Sequence, residues 1–304
     1  MPDGTPPPRD DVGSGPAVTP AAASWSKATR ETVVAVRRWT DSLVSIRVTR
    51  DPGYRFVAGR YARLGLSGSD GSAVVRPLSI ASATSEPHLD FLCTLVPGGE
   101  FSSLVEGCAA GDDAYVERAS FGFLTVDALA PGSDLWLVAS GTGIAPFLSI
   151  LREDGVWSTF ERIVVVHSVR VAAELAPAQD VARLDGQPAA PGAARLRYLP
   201  VVTREPGAAA LASRIPALIE DGRLEAAAGV PIDARRSRVM TCGNPALAQD
   251  VRRLLAARGF QPTRRNAPGQ MAFENYWQPP RTAAFAPPPP ATSSLPLPPR
   301  GHLR

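Results

Sequence analysis

The chain has few of the residues that build metal centres or acid–base sites. Its 304 residues include only three cysteines and three histidines. The cysteines, Cys93, Cys108 and Cys242, stand far apart without Cys-x-x-Cys spacing, and three cysteines cannot form the quartet that holds an iron–sulfur cluster. Because no nucleophile neighbours His88 or His167, we expect surface or strand-end positions for both rather than acid–base catalysis.

Long apolar runs are also missing. No window approaches the ~20 apolar residues that a membrane-spanning helix needs, and the start MPDGTPPPRDD lacks the basic head and apolar stretch of a signal peptide. We therefore expect a cytoplasmic protein with no membrane partner. Lys27 is the only lysine, so arginine carries the positive charge, and the net charge is +3. Without interleaved aromatic residues, these arginines favour anionic small ligands or an acidic partner over nucleic acid.

Both ends of the chain have the composition of solvated tails. Residues 1–26 are rich in Pro, Gly, Ala and Asp, and residues 278–304 contain the proline run Pro287 to Pro290. Such segments offer too little apolar surface to offset the entropy lost on ordering, so disordered tails are predicted. A polyproline ligand for a partner is the alternative interpretation of the C-terminal tail.

The sequence between the tails predicts two domains. Residues 27–131 contain short apolar segments with period-two alternation and glycine turns, which predicts an antiparallel β-barrel with one helix near 102–105. Residues 132–277 predict a Rossmann-like α/β domain, in which helices flank a parallel sheet. The boundary is expected near 130–133. The strands expected in the second domain are 135–139, 162–167, 197–202 and 238–241.

The segment Leu135 to Arg152, LWLVASGTGIAPFLSILR, leads from a buried strand through a glycine turn into an apolar helix. Gly141 and Gly143 are expected to adopt backbone angles closed to other residues and to let main-chain N–H groups approach a phosphate. Pro146 suits the first helical turn, where its missing N–H costs nothing. Taken alone, the motif is equally compatible with an ordinary tight turn.

Three further motifs accompany this turn, and together they carry a family resemblance. They are Arg76-Pro77-Leu78-Ser79-Ile80-Ala81-Ser82, Met240-Thr241-Cys242-Gly243-Asn244-Pro245 and Phe273-Glu274-Asn275-Tyr276-Trp277. The set resembles the bacterial ferredoxin/flavodoxin–NADP⁺ reductases, in unbroken order over roughly residues 27 to 277. The fold that this resemblance implies is an FAD-binding barrel followed by an NADP-binding α/β domain.

The resemblance implies an FAD site on the barrel. Pro77 pins the backbone near an extended form and leaves the Arg76 guanidinium free to bind a diphosphate. Ser79 is expected close to flavin N5, while Leu78 stands where many relatives have a tyrosine stacked on the isoalloxazine ring. The turn before Glu100 is expected to aim backbone donors at the diphosphate. The other residues implied for FAD are Leu92, Phe101, Ser102, Thr142, Glu274, Asn275, Tyr276 and Trp277.

The choice of coenzyme can be argued from the residues themselves. A binder of NAD usually places a carboxylate about 20 residues beyond the glycine turn, whereas a binder of NADP offers arginine. Here the strand ends in His167-Ser168-Val169-Arg170, and no carboxylate appears before Glu174. Arg204 follows the next strand, and Arg214 opens a helix that Ser213 is expected to cap. The resemblance assigns Arg170, Arg204 and Arg214 to the 2′-phosphate. The other residues that it implies for NADP binding are Gly141, Gly143, Val169 and Cys242.

The resulting hypothesis is an enzyme in which NADPH passes hydride to flavin N5 and electrons then move to a ferredoxin or flavodoxin, or in reverse. Ser79, Cys242 and Glu274 are the expected catalytic residues, with Cys242 beside the nicotinamide and Glu274 on a proton route. The reductase component of an oxygenase shares both domains and is the nearest alternative. A catalytically silent flavin module, serving electron transfer or regulation, is the other.

Overall fold

The computed structural model describes residues 27–68 and 73–274 of the chain. The expected tails at 1–26 and 278–304 lie outside the described residues. Among the described residues, no helix combines the length and apolar character needed to cross a membrane.

The first six strands form an antiparallel sheet that nearly closes into a barrel. Its strand order is β4-β3-β6-β1-β2-β5, and a bridge between Ile80 and Phe91 joins the two edges. Helix α1 (Glu100–Gly107) covers the helix expected near 102–105. The alternating pattern is confirmed, since Ile46, Leu64 and Phe91 all point into a closed apolar core. The strands are β1 (Ala28–Arg38), β2 (Leu43–Thr49), β3 (Tyr61–Ser67), β4 (Ala73–Ser79), β5 (His88–Thr94) and β6 (Asp113–Glu117).

The remaining strands form a parallel sheet in the order β11-β10-β7-β8-β9. The four strands expected from the sequence are present, with slightly wider bounds: β7 (Asp134–Ser140), β8 (Arg162–Val169), β9 (Arg195–Val202) and β10 (Ser237–Cys242). A further strand, β11 (Met271–Glu274), was not expected. Its helices are α2 (Ala145–Leu151), α3 (Asp154–Thr159), α4 (Gln179–Leu184), α5 (Ile215–Glu220), α6 (Arg223–Ala228) and α7 (Pro245–Ala257), with 3₁₀ turns at Gly141–Ile144 and Ala172–Ala178.

Each face of the parallel sheet has its own apolar core. Trp136 and Val138 of β7 point to the face that helices α5 and α7 cover. Leu137 and Ala139 point to the other face, where the apolar cluster also contains Leu92 from the barrel. The sheet therefore packs directly against the barrel, as expected for parallel strands that are buried on both faces.

Polar contacts reinforce this junction between barrel and sheet. The Ser149 hydroxyl in α2 donates to the Ser82 carbonyl at 2.7 Å. Glu153, just beyond α2, accepts both the backbone N–H and the hydroxyl of Thr84, each at 2.7 Å. Because residues 80–84 follow strand β4 directly, helix α2 is fastened to the segment that leaves the expected flavin strand.

A buried arginine holds the segment that connects the two units. The Arg238 side chain, 5% exposed, donates to the Ala130 carbonyl at 2.8 Å and to the Pro131 carbonyl. Burial lowers the pKa of Arg238, and all of its acceptors are backbone carbonyls rather than carboxylates. Arg238 thereby joins the connecting segment to β10.

We expect Arg238→Met to lower the free energy of unfolding by about 1–3 kcal/mol, because buried carbonyls lose their donor. Urea unfolding of the purified protein measures this. The matched control is Arg235→Met, since the Arg235 side chain is 89% exposed and its ion pair with Asp233 lies at the surface, so its removal should leave the stability nearly unchanged. Equal losses in both variants would contradict a clamping role for Arg238.

Candidate active site

The glycine turn lies at the carboxyl end of β7, where ligands of open α/β sheets bind. Gly141 has a φ of +54°, the left-handed conformation that favours glycine. The 3₁₀ turn Gly141–Ile144 then leads into α2, with Pro146 in the first turn of the helix as expected. The first N–H groups of such a turn have no intrahelical acceptor and are free to bind a ligand.

Gly143 is needed for a different reason from the one expected. Its φ is not positive, so its backbone angles are open to other residues. However, a Cβ at this position would overlap the Cys242 carbonyl. The turn is therefore seated against the end of β10, and the Asn244 N–H donates to the Ser140 hydroxyl at 2.9 Å across the same contact.

The three expected catalytic residues meet at the junction of the two units. Ser79, 7% exposed, ends β4 of the barrel and lies close enough to Cys242 to lower the pKa of its thiol. Cys242 ends β10 and pairs in register with Glu274 of β11. Two neighbouring parallel strands thus present a thiol and a carboxylate side by side, opposite the hydroxyl from the barrel.

The electrostatics of this group keep the Cys242 thiol protonated. Burial and the nearby Glu274 carboxylate raise the pKa of Cys242 well above its usual range. The nearby Ser79 side chain and Gly243 backbone lower the pKa of Cys242, but their effect is smaller. A protonated buried thiol is a soft apolar surface rather than a nucleophile, which suits contact with a flat aromatic ring.

Arg76 and the beginning of α1 lie together on the barrel. The Arg76 side chain is half exposed, and its Nη2 lies 4.0 Å from the Glu100 carboxylate. The first hydrogen bond of the helix is donated by the Ser103 N–H to the Gly99 carbonyl, so the N–H groups of residues 100–102 precede it. A guanidinium therefore adjoins a row of backbone donors, which is an arrangement suited to a diphosphate.

Several side chains expected near the flavin have structural roles of their own. Phe101 is buried in the barrel core, and the Ser102 hydroxyl accepts the Val96 N–H at 2.8 Å, so only their backbones face outward. Leu78 is half-buried against the barrel core, whereas Leu92 is buried at the junction with the sheet. Thr142, in the glycine turn, is partly exposed.

Backbone pairing brings the expected 2′-phosphate residues together. Val169 is buried and pairs with Val202, and the Arg204 N–H donates to the Arg170 carbonyl at 2.8 Å. The segment before Arg214 joins the same edge, because the Val202 N–H donates to the Leu211 carbonyl. The Arg170, Arg204 and Arg214 side chains are all exposed there. Among the described residues, neither Arg204 nor Arg214 forms an ion pair.

One local expectation about this edge was wrong. Ser213 does not cap α5, because Arg214 is the N-cap residue and the Ser213 hydroxyl accepts from Arg223 at 3.0 Å. Arg170 differs from the other two arginines because it forms an ion pair. Its Nη2 lies 2.8 Å from Oε1 of Glu174, whose other oxygen accepts the Arg170 backbone N–H. Glu174 is 9% exposed, and its net pKa is lowered by these hydrogen bonds although burial opposes them.

Sequence reasoning also missed a residue beneath the glycine turn. His167, expected at a strand end or on the surface, is fully buried on β8, with Nε2 3.0 Å from the Gly141 carbonyl and Nδ1 3.2 Å from the Tyr198 hydroxyl. Burial lowers the pKa of His167 to about 4. Asn275, Tyr276 and Trp277 lie outside the described residues.

The chain is similar to known proteins over most of its length. The model of the oxidoreductase NAD-binding domain matches residues 137–253. Ferredoxin–NADP reductase A of Sorangium cellulosum is 37% identical over 88% of this chain and 96% of its own. The flavodoxin/ferredoxin–NADP reductase of Escherichia coli is 37% identical over 81% and 97%. A ferredoxin NADP⁺ reductase from Neisseria gonorrhoeae, solved with bound FAD and NADP, superposes with a TM-score of 0.77 at 31% identity, covering 83% of this chain and all of that one.

The lowered pKa of His167 has a measurable consequence for stability. The unfolded histidine takes up its proton near pH ~6.5 but the folded one only near a pKa of about 4. Titration of His167 therefore leaves the free energy of unfolding unchanged above the unfolded pKa. It lowers that free energy by up to about 3 kcal/mol as the pH drops toward 4. The charged or titratable groups that face the ring are Tyr198 and Glu174.

Urea unfolding over this pH range should show a steeper loss of stability in the wild type than in His167→Gln, which has no titrating group at this position. The difference between the two profiles isolates His167 from the carboxylates that titrate in both proteins. Parallel profiles would show that the pKa of His167 is not lowered by folding.

Proposed function

The chain belongs to the ferredoxin/flavodoxin–NADP⁺ reductase family, and we propose that it transfers electrons between NADPH and a ferredoxin or flavodoxin through the residues at the junction of its barrel and its parallel sheet. The protein is an oxidoreductase that uses FAD and NADP(H). The observation that carries the site assignment is the junction where Leu92 of the barrel and Cys242 of the sheet share one apolar cluster, with Ser79 of the barrel close enough to lower the pKa of the thiol. It joins the strand expected to bind flavin to the strand expected to bind nicotinamide.

Both alternatives have less support. The two curated relatives reported above, which are each 37% identical to this chain, are named as ferredoxin or flavodoxin reductases. A silent flavin module would have no need for a hydroxyl, a thiol and a carboxylate assembled at one junction. The presence of Ser79, Cys242 and Glu274 at one junction therefore favours a working enzyme.

The barrel residues suit FAD. Arg76 and the backbone donors of Glu100, Phe101 and Ser102 form a cradle for the diphosphate, while Pro77 keeps the strand extended. Leu78, Leu92 and Thr142 are proposed to contact the ring system, and Asn275, Tyr276 and Trp277 to complete the site. Bound FAD supplies the hydride acceptor and the one-electron donor that the side chains cannot provide.

The junction residues orient the reacting groups. We assign to Ser79 a hydrogen bond at flavin N5, since Ser79 is buried at the end of β4 and lies close enough to Cys242 to lower the pKa of its thiol. Cys242 keeps its proton and offers a polarisable surface to the nicotinamide, which excludes water from the reacting atoms. Glu274, beside it on β11, is placed to take or deliver a proton.

The edge beyond β8 and β9 suits the 2′-phosphate of NADP. Gly141 gives the diphosphate access to the backbone, Gly143 lets the turn pack against the end of β10, and Val169 supports the base of the site. Arg204 and Arg214 offer guanidinium groups with no competing carboxylate among the described residues. Arg170 is paired with the Glu174 carboxylate, which offsets part of the positive charge that Arg170 offers to the phosphate.

The function and this coenzyme preference are tested together by electron transfer from NADPH or NADH to a purified ferredoxin or flavodoxin. We expect the wild type to prefer NADPH. Arg204→Ala or Arg214→Ala should lower kcat/KM for NADPH, because the loss of a charge-assisted contact weakens transition-state binding by about 1.5–3 kcal/mol. Turnover of NADH should stay nearly unchanged. Exposed Arg195→Ala, at the opposite end of β9, is the matched control. Equal losses with both coenzymes would contradict the assignment.

Leu78 offers a test of the flavin position. Leu78→Tyr should add an aromatic stack worth about 0.5–1.5 kcal/mol, seen as tighter FAD retention and a shifted flavin absorption band. Val74→Tyr, two pleats earlier on β4, is the control and should change neither quantity. An unchanged spectrum and FAD affinity in Leu78→Tyr would show that this side chain does not contact the ring.

A further inference from the structure

His167 is a buried polar side chain that the proposed reaction does not use. It lies on β8 between Ala139 of β7 and Pro200 of β9, and none of its surface is exposed. Both ring nitrogens have partners: Nε2 lies 3.0 Å from the Gly141 carbonyl, and Nδ1 lies 3.2 Å from the Tyr198 hydroxyl. The imidazole thus links the glycine turn to the middle of the sheet.

The partners fix which nitrogen carries the proton. A backbone carbonyl only accepts, so the bond to Gly141 requires a hydrogen on Nε2. Nδ1 of the neutral ring is then an acceptor, and the Tyr198 hydroxyl donates to it. Burial raises the pKa of Tyr198, which keeps this donor protonated.

The bond to Gly141 has a geometric consequence on the other side of the turn. A trans peptide unit is planar, and its C=O and N–H point in opposite directions. Because the Gly141 carbonyl points inward to His167, the N–H of the same peptide unit, which belongs to Thr142, points outward. Thr142 is partly exposed at the position where the turn meets the nucleotide site.

We propose that His167, held by Tyr198, is a positioning residue that orients the Gly141–Thr142 peptide so that its N–H donates to the diphosphate of the nicotinamide nucleotide. This inference rests on the proposed function. His167 touches no reacting atom, and it acts through the backbone of the turn. Because the diphosphate is common to NADP and NAD, the contribution of His167 is the same for both coenzymes. The arginine edge, in contrast, acts only on the 2′-phosphate.

The test measures nucleotide binding separately from turnover. NADP⁺ is titrated calorimetrically into FAD-loaded wild type and variants, and KM and kcat are measured for NADPH and NADH with ferricyanide as acceptor. His167→Leu removes the donor, and we expect Kd and both KM values to rise about tenfold while kcat changes little. His167→Gln retains an amide donor at the reach of Nε2 and should recover most of the affinity. Tyr198→Phe keeps the packing but removes the hydroxyl that fixes the tautomer of the His167 ring. It should give a loss of NADP⁺ affinity between those of the other two variants.

Val165→Ala is the control for packing, since Val165 is fully buried one pleat earlier on the same strand and face. It should lower the melting temperature without changing Kd. Wild-type affinity in His167→Leu, or a loss that follows the melting temperature through all variants including the control, would overturn the proposal. So would a loss confined to NADPH. A wild type that binds no NADP⁺ and oxidises no NADPH would overturn the proposed function, and this inference with it.

Discussion

The close seating of the glycine turn on the end of β10 is the contact on which the rest of the site depends. Gly143 lies so near the Cys242 carbonyl that no side chain fits between them. This contact fixes the nucleotide turn relative to the thiol. Helix α2 begins at the turn, and the Ser149 hydroxyl within it donates to Ser82, just past the expected flavin strand. One short helix therefore links the proposed nucleotide site to the proposed flavin site, so a shift of the turn would displace residues at both.

The two halves of the site use opposite electrostatic strategies. At the junction, burial keeps the Cys242 thiol uncharged, so the hydride path that we propose there has a neutral thiol beside the Glu274 carboxylate. At the outer edge, exposed arginines present charge to solvent, where it costs little to maintain and steers anions toward the sheet. The Arg170–Glu174 pair lies between these regimes. It holds a guanidinium in a fixed place, and its Nη2 also lies 3.5 Å from the Ser42 hydroxyl of the barrel.

Much of this arrangement follows from the sequence, because it depends on local patterns. Period-two alternation located the barrel strands, and apolar runs located four parallel strands. Strand β11 was missed because it has only four residues and follows a polar loop. His167 was missed because a lone histidine carries no pairing signal, whereas its partners Gly141 and Tyr198 lie 26 and 31 residues away. The Arg170–Glu174 pair did have a signal, the i,i+4 spacing, although that spacing alone does not distinguish a solvated pair from a buried one.

We propose that nucleotide and flavin meet at the junction formed by Ser79 and Cys242. Rapid anaerobic mixing of the FAD-loaded protein with NADPH tests this proposal, with NADPH deuterated at the transferred C4 position as the comparison. We predict that the visible absorbance of the flavin bleaches after mixing and that deuterium slows the bleaching, as direct hydride transfer requires. A flavin that stays oxidised although NADPH binds would contradict it.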